Sequence, residues 1–472
     1  MCGIYGCISG RDDKIKELED QRKFFDEVVR RGTESFEYKF KRSFFGYSNF
    51  AIRNPFNPDD ALKNNILVLL NGEIYNCPPQ TTEFNFIREV YLKEGASGFK
   101  KLNGKFIILI YDLEREILFL VRDFFGKIPV FFMQQEQTLY FSSLAGSLLP
   151  ILKDHRLDQV ARLETELFRY RSFNRTKYEN IHQLPPNTVL CFQSGKIMLK
   201  PLKNEISSFD TDYKNTEDIL NQLLIESVTS TFNNIEENKP IGVLVSGIDS
   251  YILFKILERY YNGRILAFVF YNYRAPFDFS YDRDKTTVEK IKLFSEDFYR
   301  NLNECLTLCR GGDISPIKTY IFAKKIKERY PGLKVVYCGE GADELFGGYT
   351  EGIRHMDGRL VHRELVKSYE DYPYSVLLND FTSTERNTKS ITGFFQRHQL
   401  VEVHLNPFNV CFQNFLLELR SPFLSEKILA FSNQLPEEYF IDKAIIKILA
   451  RKEYSFDTTD YKKVSLPASI SF

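Results

Sequence analysis

The second residue of the chain is a cysteine, in the opening run Met1-Cys2-Gly3-Ile4-Tyr5-Gly6. Removal of Met1 would leave the Cys2 thiol beside a free α-amine, whose pKa of roughly 8 suits it to act as an intramolecular base. A single cysteine at that position is more often an inert small hydrophobe, so its companions decide. Asn71-Gly72-Glu73-Ile74-Tyr75-Asn76 follows a strongly apolar run, which places it where the chain leaves a strand. An Asn amide beside a Gly N–H is a suitable donor pair for the oxyanion of a thioester-forming reaction. Alone, Asn-Gly is also a common turn.

Two further groups lie in the second half. Val245-Ser246-Gly247-Ile248-Asp249-Ser250 sits where a short apolar strand hands over to a helix. A helix start offers free N–H groups and a positive dipole end, a site for pyrophosphate, and Asp249 there is suited to Mg²⁺. A capped helix start is the structural alternative. Cys338-Gly339-Glu340-Gly341-Ala342-Asp343-Glu344-Leu345-Phe346-Gly347-Gly348-Tyr349 packs three carboxylates and four glycines into a loop after the strand KVVYC. Such carboxylates repel one another unless cations or donors compensate them, and ligands bind beyond the carboxyl ends of strands in open α/β sheets.

The elements that must position these groups divide the chain. Residues 1–190 hold many short apolar runs punctuated by turns (CGIYGCIS, NILVLLNGEIYN, KFIILIYD, EILFLVRD, PVFFM, TLYFSS), which predicts packed antiparallel sheets. From about 216 onward, strands such as IGVLV, ILAFVFY and KVVYC alternate with helical patterns such as DILNQLLIESVTSTF and TYIFAKKIKERY. That alternation predicts βαβ units and a parallel sheet. The expectation is an α/β chain: an α+β unit over 1–190, a polar linker over 191–215, and a Rossmann-like unit over 216–472. Residues 350–410 read as mostly helical and carry no legible chemistry.

Composition narrows the function classes. The 472 residues contain 63 Lys plus Arg and 63 Asp plus Glu, so no excess charge points to nucleic acid or an acidic membrane. The eight cysteines are scattered, with only Cys305 and Cys309 close together, which suggests neither a disulfide framework nor a zinc site. The first residues turn polar too soon for a secretory signal, and no apolar stretch is long enough to span a bilayer. The expectation is a cytoplasmic protein.

Taken together, the motifs resemble the class II, N-terminal-nucleophile glutamine amidotransferases, and the glutamine-dependent asparagine synthetase family in particular. RRGTES is similar to that family's HRGPDS, NGEIYN is identical, and RDFFGKIPVFF resembles RDPFGIKPLYY. SGIDS stands for SGGLDS, CGEGADELFGGY for SGEGADELFGGY, and Glu418-Leu419-Arg420-Ser421-Pro422-Phe423-Leu424 for ExRxPFL. The resemblance implies two stacked antiparallel sheets flanked by helices, joined to an ATP-pyrophosphatase-type parallel-sheet domain. It implies Cys2 as nucleophile, Asn71 and Gly72 as oxyanion hole, and glutamine recognition by Asn71, Gly72, Glu73 and Glu83. Asn49 falls where the family has a carboxylate-gripping Arg, and Arg53 is four residues on. On the ATP side it implies Leu244, Ser246, Gly247, Asp249, Ser250, Val269, Cys338 and Gly339. Asp249 and Asp343 would hold Mg²⁺, while Glu340 and Lys447 would be catalytic.

The implied reaction is ATP-dependent synthesis of asparagine from aspartate through β-aspartyl-AMP, with ammonia from glutamine, and the implied assembly is a homodimer. The phosphate loop is one residue shorter than the family's, and the Thr- and Arg-bearing segment before the acidic loop is replaced by Gly311-Gly312-Asp313-Ile314-Ser315-Pro316. These departures leave two alternatives open: a glutaminase-type amidotransferase with an impaired synthetase half or another carboxylate acceptor, and a non-catalytic descendant.

Overall fold

The computed structural model describes residues 3–10, 25–52, 56–168, 170–203, 216–271, 277–308, 316–349, 375–385 and 387–458. In chain order the strands are β1 (Gly3–Ser9), β2 (Glu34–Phe40), β3 (Ser43–Asn49), β4 (Leu62–Lys63), β5 (Ile66–Ile74), β6 (Gly104–Asp112), β7 (Ile117–Arg122), β8 (Phe131–Gln135) and β9 (Thr138–Ser142). They continue with β10 (His182–Gln183), β11 (Thr188–Gln193), β12 (Lys196–Pro201), β13 (Ile241–Leu244), β14 (Ile265–Tyr271), β15 (Thr286–Lys292), β16 (Val335–Tyr337) and β17 (Glu418–Arg420).

The first twelve strands form two six-stranded sheets, ordered β10-β8-β9-β1-β3-β2 and β12-β11-β7-β6-β5-β4, with antiparallel pairing throughout. Their central strands are apolar on both faces because both faces are covered. Leu67 and Leu69 of β5 join Ile107, Leu109 and Phe141 in the layer between the sheets. Val68 and Leu70 pack outward with Ile87 and Tyr91 of the helix Glu83–Glu94. Thr82 caps that helix by accepting the Asn85 N–H at 3.3 Å.

The linker expected over 191–215 starts later. β11 pairs with both β7 and β12, so residues up to Pro201 belong to the second sheet. β12 is an edge strand, half polar and solvent-facing, and lacks the apolar run that marks a buried strand.

The second unit is a five-stranded parallel sheet, ordered β15-β14-β13-β16-β17. Helices cover both faces: Thr216–Ser230, Ile248–Tyr260, Glu426–Gln434 and Ala444–Tyr454 on one, Ile317–Arg329 and Asn406–Asn414 on the other. The described part of 375–410 is helical, as expected, and includes a π-helical turn at Leu400–Leu405.

The two units meet through buried polar contacts. Lys105 Nζ reaches Glu418 Oε1 at 3.0 Å and the Leu419 carbonyl at 2.7 Å, Arg420 pairs with Glu73, and Arg31 donates to Asn409 Oδ1 at 3.0 Å.

Candidate active sites

In the first unit, Ser143 ties the start of β1 to β5. Its hydroxyl accepts the Ile4 N–H at 3.0 Å and lies 3.3 Å from Asn71 Nδ2, while Asn71 Oδ1 is buried with no partner among the described residues. Gly72 has φ +127°, and a Cβ there would lie 1.9 Å from the Lys105 carbonyl oxygen, so only glycine fits. Strand β5 therefore brings the Asn71 amide, its Nδ2 held by Ser143, and a glycine backbone beside the first described residues of the chain. Cys2 and Arg53 lie outside the described residues.

Around this centre the residues expected to recognise glutamine are differently disposed. Glu83, first residue of its helix, accepts the Ile74 N–H at 2.5 Å. Burial pushes its carboxyl up to about 8, opposed by the Ile74 N–H and reinforced by Glu73. A ligand ammonium would bind there with release of a proton. Asn49 is buried and committed to its neighbours, donating to Glu34 Oε2 and accepting from the Tyr47 hydroxyl, both at 3.3 Å. Glu73 gives one carboxylate oxygen to Arg420 across the interface, and its other oxygen has no partner among the described residues. Burial raises the Glu73 carboxyl while the Arg420 guanidinium pulls it back down.

In the second unit, a cavity of about 240 Å³ opens at the carboxyl ends of β13 and β16. Its lining contains Leu244, Ser246, Gly247, Asp249, Ser250, Cys338, Gly339, Glu340 and Asp343, nearly the whole expected set. Gly339 lets the two loops close, since a Cβ there would sit 3.1 Å from Ser250 N. The shortened phosphate loop folds onto itself: the N–H groups of Ser246 and Gly247 donate to the Ser250 hydroxyl at 2.9 and 3.1 Å. A phosphate entering there must displace that hydroxyl. Burial holds the Cys338 thiol up near 12, an inert group 3.2 Å from the Ser421 hydroxyl.

Two expected residues are placed elsewhere. Val269 packs in the core on the opposite face of β14, and its neighbours Phe268 and Phe270 line the cavity, because successive side chains of a strand face opposite ways. Lys447 pairs with Asp442, and the ammonium that reaches the site belongs to Lys443. Lys443 Nζ lies 2.5 Å from Asp249 Oδ2 and also pairs with Asp343. Burial disfavours its charge, but the two carboxylates outweigh burial and raise its pKa well above the usual lysine value. Lys443 reaches in from a left-handed backbone, φ +56°, at the helix start.

His404, on the π-helical turn, completes the cavity. Its Nδ1 is 3.0 Å from Glu340 Oε2 and its Nε2 is 3.4 Å from Glu344 Oε1 and 3.1 Å from the Tyr349 hydroxyl. Burial works against its charge, yet Glu344 and Glu340 raise its pKa to about 9. The acidic loop thus carries two cations of its own, one for Asp249 and Asp343 and one for Glu340 and Glu344.

Comparison with known proteins agrees with this division. A family model described as a glutamine amidotransferase domain matches residues 1–203, and one described as asparagine synthase matches residues 220–454. The chain belongs to the glutamine-hydrolysing asparagine synthetase family. A putative asparagine synthetase of Methanocaldococcus jannaschii is 26% identical over 79% of the chain, and the chain spans 65% of that relative. Asparagine synthetases of Bacillus subtilis and Homo sapiens are 22% and 23% identical over 96% of the chain, which spans 84% and 81% of them. Sequence reasoning about this family located both loops but passed over Lys443 and His404.

Proposed function

We propose that the protein makes asparagine from aspartate and ATP, using ammonia released from glutamine, with an amidotransferase unit over residues 1–203 and a synthetase unit from 216 onward. What carries the reading is the presence, in one chain, of a Ser143-anchored Asn71-Gly72 centre near the amino end and a carboxylate-rich cavity at the parallel sheet. Each lies within the matching family region. Cys2 attacks the glutamine amide, with Asn71 and the Gly72 N–H receiving the developing oxyanion. Glu73 and Glu83 meet the amino-acid end of glutamine, with Asn49 and Arg53 on the carboxylate side.

In the second cavity ATP is the co-substrate. Ser246, Gly247 and Ser250 face its phosphates, and Leu244, Cys338 and Gly339 flank the nucleotide. Asp249 and Asp343 would hold Mg²⁺. Both carboxylates line one cavity with the Ser246–Ser250 loop, a donor set suited to an ion bound chiefly by phosphate oxygens. The ion would neutralise phosphate charge. Lys443, which pairs with the same two carboxylates, would lie within reach of the phosphates. Glu340, oriented by His404, takes the proton that ammonia loses on attacking the activated carboxyl, and AMP leaves. The protein acts in the cytoplasm as a homodimer, as the family resemblance implies.

A second reading, in which the acceptor is a different carboxylate, is favoured by the His404 cation beside Glu340, which lies outside the family motifs. Incubation with glutamine, aspartate and ATP·Mg tests both. Asparagine, AMP and pyrophosphate formed together are expected, and Cys2→Ala should abolish glutamine use while retaining ammonia-dependent synthesis. Glutamate and ammonia without asparagine would overturn the first reading. AMP release with some other carboxylate would establish the second.

A further inference from the structure

Between the two units lies a cavity of about 520 Å³, separate from both sites described above. Tyr75, Asn103, Lys127 and Lys203 form its amidotransferase wall, and a hydroxyl-rich wall including Ser227, Ser230 and Ser425 faces them from the synthetase unit. Three lysines and two glutamates line it. Two of the lysines are matched: Lys203 Nζ lies 2.6 and 2.7 Å from the Glu426 oxygens, and Lys427 Nζ lies 2.9 Å from Glu226.

Lys127 differs. It is 8% exposed, and among the described residues its ammonium has one hydrogen bond, a long one of 3.4 Å to the Gly104 carbonyl. Beyond that it faces the rings of Phe125 and Tyr75, at 5.4 and 5.8 Å. Asp123 is the opposite charge that acts most strongly on it, but its oxygens receive the backbone N–H groups of Phe106, Phe125 and Lys127 itself, at 3.0 to 3.3 Å. Burial draws the Lys127 pKa down to about 8 against the pull of Asp123, the mark of an ammonium short of acceptors. In the pattern this segment resembles, the lysine stands one residue later, but here Ile128 fills that place and lies in the inter-sheet core. Lys127 itself lines the cavity. The Ser227 and Ser230 hydroxyls donate to the Pro422 and Ser227 carbonyls. The receptor for an oxyanion is therefore the buried Lys127 ammonium, with two donors spare among the described residues, beside two neutralised ion pairs.

We propose that this cavity binds a small metabolite through a carboxylate or phosphate group seated on Lys127. The bound molecule would touch both halves of the enzyme. Tyr75 follows the Asn71–Glu73 segment, and Leu424, on the far wall, is the side chain that a Cβ on Gly341 of the acidic loop would strike at 2.3 Å.

The test is calorimetric titration of the full chain with inorganic phosphate and, separately, succinate, with a non-hydrolysable ATP analogue and Mg²⁺ present throughout. One of the two is expected to bind the wild-type protein, and Lys127→Met to weaken it by about tenfold to a hundredfold, the worth of a charged hydrogen bond. The tighter probe distinguishes a phosphate from a carboxylate ligand. Phosphate held at the Ser246–Ser250 loop would survive the Lys127 substitution, so equal binding by wild type and Lys127→Met overturns the proposal, as does no binding of either probe to wild type. Should Lys127→Met fail to fold, Ser230→Phe fills the cavity without removing the charge and is expected to abolish binding. Undiminished binding there overturns the proposal equally.

Discussion

Lys443 bridges Asp249 and Asp343 from the N-cap of a helix, and its charge offsets theirs at the mouth of the proposed phosphate site. Lys443→Met would leave two carboxylates facing one another with no protein cation between them. Ammonia-dependent pyrophosphate release is expected to fall about a hundredfold, the scale of losing one preorganised electrostatic contact. Lys447→Met, which loses only its pair with the exposed Asp442, should change it less than threefold or so. The reverse order of effects would restore Lys447 to the catalytic role. His404 supplies a pH-dependent counterpart. Its folded pKa is raised, so its contribution to stability is full below its unfolded value near 6.5 and is lost as pH rises through about 9. The difference in thermal midpoint between wild type and His404→Asn should therefore shrink between about pH 6.5 and 9, and a difference that grows would contradict the pairing with Glu340 and Glu344. Neither residue was legible. The sequence offers two lysines one helical turn apart, and the left-handed backbone at Asp442 and Lys443 that chooses between them follows from packing, not from any local pattern. His404 lies in a segment without motif, and only its tertiary position gives it partners.

At the scale of elements, the apolar runs of β5, β6, β7, β13 and β14 could be read directly because both faces of each are buried. The polar edge strand β12 could not, and the three-residue β17 read as a motif and not as a strand. Its place in the sheet comes from pairing with β16. The glycines mark where elements approach too closely for a side chain. Gly347 has φ +78°, and a Cβ on Gly348 would meet Asp343 Oδ1 at 1.7 Å, so the Gly-Gly pair after the acidic loop keeps room for the Asp343–Lys443 bridge. The sharper test lies in the other unit. Gly72→Ala sets a side chain against a neighbouring carbonyl at a left-handed position, where neither partner can yield without breaking the β5–β6 ladder. A loss of about 3 kcal/mol or more in urea unfolding is expected, together with loss of glutaminase activity. A stable and active Gly72→Ala protein would mean that the backbone here is not held as described.

For the whole molecule, the contact that matters most is the one between units. Glu73 belongs to the amidotransferase segment and Arg420 to β17, and the Arg420 guanidinium also donates to the Thr231 carbonyl at 2.7 Å and lies 3.3 Å from the Tyr337 hydroxyl. Burial opposes its charge, and Glu73 with its anionic neighbours holds it fully protonated. Removing one partner leaves the other charge buried, so Glu73→Gln or Arg420→Met should each cost about 3–5 kcal/mol, and the double variant less than their sum. Simple additivity in urea midpoints would show that the two groups do not interact. The motifs announced both ends of this bridge, but nothing in their spacing, 347 residues apart, announced that they touch.

β17 ends the parallel sheet, and an unaccompanied edge strand is a template for any passing chain. Here the Leu419 carbonyl points to Lys105, a group that accepts no further strand. Lys105 and Glu73 precede β17 in the chain, and domains generally fold in the order they are synthesised, so this order would set the partner surface before β17 emerges. The order of the two units along the chain thus means that the outer margin of the parallel sheet is covered by its own amino-terminal neighbour.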